Sequence, residues 1–318
     1  MEFRLDCPNV TEVEVADHLN GGLNGYDNTP LFSLNSIYQK TQCVDVALVQ
    51  CFFGQDGLQE NAIELALQFM SMSNPRPREW VFVEAQRSEM DAKFKWVVGL
   101  GCKYVFVKVQ NDKQDYFIKE QLWNIGAKNT KSKRLVFVDA DVAYCQMDWL
   151  AHVNRTFDEG VELFQPHAWS WRANESDGDK DKYANAIALT PSFGYHRSNG
   201  IHQDGFSGHT GYDIAISKKL YKSIGGFYSL KGTGGDYLMW SIFVYDDTMS
   251  WHPMKEVIKM IISQNSIPQN TKIGCTNLVC FHNYHGSAKN RAKKYDNDLN
   301  EQFQVANNFG MNRIAEVE

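Results

Sequence analysis

Two carboxylates one residue apart, Asp139 and Asp141, follow the apolar run Leu135-Val136-Phe137-Val138. Carboxylate oxygens are hard ligands, and a pair so spaced is chemistry suited to holding a divalent cation. Three other D-x-D triplets occur, Asp177/Asp179, Asp179/Asp181 and Asp296/Asp298. They lie among Lys, Gly, Asn and Ser, where a solvated turn or polar helix face is the better reading. Only Asp139/Asp141 ends a stretch with the composition of a strand buried on both faces. In open α/β sheets ligands bind at the C-terminal ends of such strands, so the position of the pair says more than its letters.

The elements that must position this pair are read from periodicity. Val44 to Phe53 is a strand, and after Gly54 and Gly57 the residues Leu58, Ala62, Ile63, Ala66, Leu67 and Met70 recur at helical spacing. Trp80 to Val83 makes a second strand ending at Glu84, and a helical stretch near Glu89 to Val98 leads into the strand Tyr104 to Val107. Tyr116 to Ala127 reads as a helix feeding the strand that carries the aspartates. Four strands separated by three helices predict a right-handed, parallel, doubly wound sheet. Past Asp141 the pattern predicts a strand over Val161 to Phe164, then a long irregular region through His209 with the character of a substrate-binding flap. A strand Tyr212 to Ile216 follows, then helices over Ser217 to Ile224, Asp236 to Val244 and Met254 to Ile262, and a strand Leu278 to Phe281 ending at His282.

With 318 residues, 43% hydrophobic and 13% aromatic, the chain can bury one large α/β domain or two closely joined ones. A net charge of -6 gives no global drive toward nucleic acid or anionic membrane, although basic clusters stand at Lys128 to Arg134 and Lys289 to Lys294. Seven cysteines with no C-x-x-C pair argue against a disulfide framework and a structural zinc site, and point to a reducing compartment. The chain opens without a basic, then apolar, leader and has no 18-residue apolar span, so a soluble, cytoplasmic protein is expected. The sequons at Asn9, Asn154 and Asn174 are then coincidental.

Three segments carry a family likeness. Leu122-Trp123-Asn124-Ile125-Gly126-Ala127-Lys128 with Leu135 to Asp141 is similar to the helix and strand that precede the D-x-D of glycosyltransferases with the GT-A fold. Gly211 to Ile216, Ile224-Gly225-Gly226-Phe227 and Gly234-Gly235-Asp236 resemble their strand, G-G-F turn and acidic helix start. Phe281-His282-Asn283-Tyr284-His285-Gly286-Ser287 resembles the H-x-W-H-G of some members, including phage-encoded ones. The pieces span roughly residues 44–295 in the expected order. The resemblance implies a GT-A type, Rossmann-like, mostly parallel central sheet flanked by helices, with a smaller acceptor-side sheet and flexible loops. It divides the chain into an irregular lead-in (1–43), a nucleotide-sugar donor half (44–145), an acceptor and catalytic half (146–295) and a C-terminal helix and tail (296–318).

The resemblance also distributes roles. Asp141 would ligate Mn2+ or Mg2+ directly, Asp139 would contact the metal through water or the donor ribose, and His285, with His282 second, would add an imidazole. Asp236 would be the general base that takes the acceptor proton, although N-capping of its helix is an equally good role for an Asp there. Gln50, Phe52 and Gly54 at the first strand end, and Glu84 at the second, would meet the nucleoside of a UDP-sugar. Asn124, Lys128, Gly286 and Arg291 complete the donor set, with the guanidinium fork of Arg291 suited to phosphate. His167, Trp169, Trp171 and Gly235 would face the acceptor, and His196, His202 and His209 would shape that side. The leading acceptor is a hydroxymethylated pyrimidine in DNA, as in phage DNA-modifying enzymes, with host cytoplasm as the location. Alternatives are a glycan, protein or lipid-linked acceptor, or a silent nucleotide-sugar binder. A nucleotidyltransferase is disfavoured because no Lys-containing, Gly-rich phosphate loop stands at Gly54 to Gly57.

Overall fold

The computed structural model describes residues 42–53, 57–86, 89–108, 119–173, 187–201, 208–228, 235–245, 255–268 and 271–282. The first strand, β1 (Cys43–Phe53), alternates its buried side chains between two cores: Ala47, Val49 and Cys51 enter one, Val46, Leu48 and Phe52 the other. Such a continuous apolar run is what a strand covered on both faces requires. Helix α1 (Gly57–Ser71) covers one face, then β2 (Arg76–Gln86) and β3 (Lys103–Lys108) add parallel strands. Helix α2 (Lys119–Lys128) covers the opposite face and leads into β4 (Arg134–Val138), parallel to β1. Helix α2 comes so close to β1 that a Cβ at Gly126 would lie 2.3 Å from Val49 Cγ1.

Further along come β5 (Val142–Tyr144), α3 (Trp149–Asp158), β6 (Leu163–Gln165), β7 (Trp169–Ala173), β8 (Ile187–Pro191), α4 (Phe193–Ser198), β9 (Asp213–Ser217) and α5 (Lys218–Ser223). They are followed by α6 (Gly235–Val244), α7 (Lys255–Gln264), β10 (Ile273–Cys275) and β11 (Val279–His282). The large sheet has seven strands in the order β10-β6-β9-β4-β1-β2-β3, with β9 antiparallel to both its neighbours. A second sheet has four strands in the order β5-β11-β7-β8. The fold is therefore mixed α/β: a mostly parallel central sheet flanked by helices, with a smaller sheet beside it. Strand order reverses between β1 and β4, and the crevice beyond such a reversal is where open α/β sheets take ligands.

Three expectations need correction. The helix expected near Glu89 to Val98 is two short 3-10 segments, Glu89–Asp91 and Lys95–Leu100. Between them the Glu84 carboxylate accepts the amides of Lys93 (2.7 Å) and Phe94 (2.9 Å), and Phe94 is buried between Phe52 and Phe82. The stretch from Trp169 to His209 is not wholly irregular: β7 and β8 lie in it, as does α4, capped by the Ser192 side chain on the Tyr195 amide. The strand expected over Val161 to Phe164 runs Leu163–Gln165.

Candidate metal and acid centre

Strand β4 delivers the two aspartates through its antiparallel partner. Val138 pairs with Asp213, and the next amide, of Asp139, donates to the Tyr212 carbonyl at 2.7 Å. The Val142 amide then donates to the Asp139 carbonyl at 3.0 Å, and this turn brings Asp139 and Asp141 to the strand end before β5 begins. The last residue of β11, His282, pairs with Val142, which sets its imidazole beside Asp141 with Nε2 3.5 Å from Oδ2. Two atoms each about 2.1 Å from one ion lie roughly 3 to 4 Å apart, so this spacing suits shared ligation.

The first turn of α2 faces the same point. Lys119 Nζ is 3.2 Å from Asp139 Oδ1 and 3.4 Å from its Oδ2, and also lies 4.7 Å from the centre of the Trp123 ring. Glu120 is 2% exposed, and neither carboxylate oxygen is hydrogen-bonded to another described residue. Its carboxyl occupies the space a side chain at Gly235 would need: a Cβ there would lie 2.2 Å from Glu120 Oε1. The following residue, Asp236 in the first turn of α6, reaches back toward Gly211, whose own missing Cβ would lie 2.6 Å from Asp236 Oδ2.

Three carboxylates, Glu120, Asp139 and Asp236, thus gather around one lysine, with Asp141 beside Asp139. Burial pushes the Asp139 carboxyl up to about 7, with Asp141 and Asp236 adding to the rise against the pull of Lys119. Burial likewise raises Glu120 to about 7, Lys119 opposing and Asp236 reinforcing. Lys119 keeps its proton because Asp139, Asp236 and Glu120 outweigh the cost of its burial. A basin that crowds carboxylates beyond what its lysine neutralises fits a divalent cation, and the oxygen and imidazole donors of Asp139, Asp141 and His282 fit Mn2+ or Mg2+.

Among the described residues, the one group of three metal-ligating side chains whose ligand atoms all lie within 4.8 Å of one another is elsewhere, at His167, Asp213 and Cys280, all buried; Asp139, Asp141 and His282 stand further apart as a set. There His167 Nδ1 is 2.8 Å from both Asp213 oxygens, the Tyr144 hydroxyl donates to Asp213, and burial holds the Cys280 thiol protonated. With its acid already shared by two partners and sealed from solvent, this group works as a buried network joining the two sheets.

Several expected site residues make contacts within the fold. Gln50 is buried and accepts the Trp80 indole N–H at 2.9 Å, and Phe52 packs on Phe94. Glu84 is fully buried and receives Tyr104 Oη at 2.9 Å besides the two amides. Asn124 accepts the Phe227 amide (2.9 Å) and the Tyr221 hydroxyl (2.6 Å) and donates to the Phe227 carbonyl (2.8 Å), which locks the Gly-Gly-Phe turn to α2. Lys128 is exposed at the far end of the ten-residue helix α2, about 14 Å along its axis from the end that meets Asp139. His167 is buried against Asp213, and Trp169 is half-buried against Tyr195 with ring centres 5.1 Å apart. Trp171 is also half-buried. Gly235 is placed at the basin as room for Glu120. Gly54, His202, His285, Gly286 and Arg291 lie outside the described residues.

Sequence reasoning missed Lys119 and Glu120. The signal was available: a helix feeding a parallel strand starts at the edge where that strand ends, so its first turn, not its last, faces the strand's carboxylates.

No family model matches the chain, and no curated protein does. Among solved structures, the mannosyltransferase PcManGT from Pyrobaculum calidifontis, in complex with GDP-Man and Mn2+, aligns over 88% of this chain and 69% of its own at 14% identity and TM-score 0.44. S. aureus TarS aligns over 61% of this chain at 14% identity and TM-score 0.39, and the match spans 32% of TarS. Both likenesses are distant, and the site stands on its own residues.

Proposed function

We propose that this chain transfers a sugar from a nucleotide-diphosphate donor, UDP-linked in the first instance, to a hydroxyl acceptor with a divalent metal. The supporting observation is the convergence of Asp139, Asp141 and His282 with Lys119, Glu120 and Asp236 at the C-terminal edge of β4. Asp141, Asp139 and His282 would hold Mn2+ or Mg2+, which when bound stabilises the charge on a diphosphate leaving group. Lys119 presents a permanent positive charge in the same basin, and its pairing with Asp139 keeps it aimed there. Asp236, half-buried at a helix start, is the group to accept the acceptor's hydroxyl proton. By sequence position, His285 would add a ligand, and Gly54, Gly286 and Arg291 would complete the donor contacts. A hydroxymethylated pyrimidine in DNA is the acceptor to try first, with Trp169 and Trp171 available for stacking.

The test incubates the chain with radiolabelled nucleotide sugars, against modified DNA and against cell extract. Asp141→Ala is expected to abolish metal-dependent donor hydrolysis and transfer. Asp236→Asn should keep donor binding and lower transfer about 100- to 10,000-fold. Full activity of the Asp141 variant would overturn the metal assignment.

A further inference from the structure

Tyr212 is bulky, yet its backbone has φ 78°. The left-handed region is costly for such a side chain, and strain of this kind persists only where the surroundings enforce it. Two contacts explain what it secures. Its carbonyl accepts the Asp139 amide at 2.7 Å and so fixes the backbone that turns the two aspartates. Its ring, 5% exposed, lies between two imidazoles: His209 at 3.9 Å and 12° between planes, and His282 at 4.7 Å and 32°. Gly211, just before it, leaves the space used by Asp236 and by His209, whose Cε1 would lie 2.9 Å from a Cβ there.

The imidazole torsion is a soft one, and a flat neighbour is what restricts it. We infer that Tyr212 is a positioning residue of the metal centre: its ring holds the His282 imidazole in the plane that faces Asp141, while its carbonyl holds the Asp139 end. This rests on the metal reading above and adds a residue that acts through its ring face and its carbonyl.

The test measures Mn2+ affinity of the full chain by titration with electron paramagnetic resonance, alongside thermal stability. Tyr212→Phe keeps the ring and should bind as the parent does. Tyr212→Asn removes the ring and adopts a left-handed backbone more readily, so affinity should fall about 10- to 100-fold, the usual loss when a ligand's orienting partner is removed. Tyr212→Leu keeps the strain and much of the volume but not the flat face, and should lose affinity similarly, which separates orientation from stability and covers an Asn variant that fails to fold. In a His282→Ala background, Tyr212→Leu should cost nothing further. Parent-like affinity in the Leu variant, or a loss undiminished without His282, overturns the inference while the metal reading stands. A parent chain that takes up no Mn2+ overturns the metal reading and this inference with it.

Discussion

Gly235 lacks a side chain where Glu120 needs the room. A Cβ there would meet the Glu120 Oε1, Cδ and Cγ atoms at 2.2, 2.3 and 2.9 Å, so the whole carboxyl would have to move. Gly235→Ala should therefore destabilise the chain by about 1–3 kcal/mol, the usual cost of overpacking. In a Glu120→Ala background those three atoms are gone, and the loss should shrink. Thermal melts of the four chains check this as a double-mutant cycle, and equal losses in both backgrounds would refute the contact. At this scale the sequence was informative where chemistry and position agreed: Asp139 and Asp141 end an apolar strand, and Asp236 opens a helix. For Glu120 composition was no help, since nothing local distinguishes a carboxylate aimed into a basin from one on a solvated helix face; only its place in the first turn of the helix that feeds β4 marks it.

Helix α2 carries Lys119 and Glu120 at one end and rests on β1 at the other through Gly126. Replacing Gly126 by Ala would gain about 1 kcal/mol of helix propensity but drive a methyl to 2.3 Å from Val49 Cγ1 and 3.3 Å from Val83 Cγ2, in a core with no slack. The steric term should win, with a net loss of about 1–2 kcal/mol in denaturant unfolding. Since the helix would move as a body, Mn2+ affinity should drop in the same variant; unchanged stability would show that the contact relaxes freely. Elements with strong periodicity, such as β1, α1 and β4, were legible beforehand. The 3-10 segments around Phe94 were not, because what interrupts the helical pattern is the Glu84 carboxylate, brought in from another strand. Strands β7 and β8 were hidden for a related reason: their order comes from pairing with β11 and with each other rather than from a local pattern.

Across the whole molecule, the parallel part of the sheet places the acid basin at one edge, and the opposite edge is tied down by Glu79. Its carboxylate accepts the Lys131 amide (2.9 Å), the Ser132 amide (2.7 Å) and the Ser132 hydroxyl (2.6 Å) on the connection between α2 and β4. Partial burial pushes this carboxyl up, but the Ser132 hydroxyl and the two amides outweigh it and hold it below the usual carboxylate range. A folded value below the unfolded one contributes stability above the unfolded value, and that contribution is lost as pH falls through the folded value. Glu79→Gln should thus lower Tm at pH 7, by up to about 1 kcal/mol of stability once solvent screening of this partly exposed carboxyl is allowed for. The gap to the parent should close on acidification toward pH 3, and a gap independent of pH would sink the assignment. The doubly wound core was legible because each of its strands is apolar on both faces. The antiparallel insertion of β9 beside β4 was not, because strand direction is set by a connection far longer than any periodic window.

The Asn124 latch has a consequence for the order of events during synthesis. Its partner Phe227 lies 103 residues downstream, so a nascent chain can complete β1 to β4 long before the three hydrogen bonds of Asn124 can close. Until residue 227 leaves the ribosome, α2 lacks the tether that fixes it from the far side, and with it the full alignment of Lys119 and Glu120. The acid basin is therefore finished late in translation, and the early half of the chain waits for the later half to lock it.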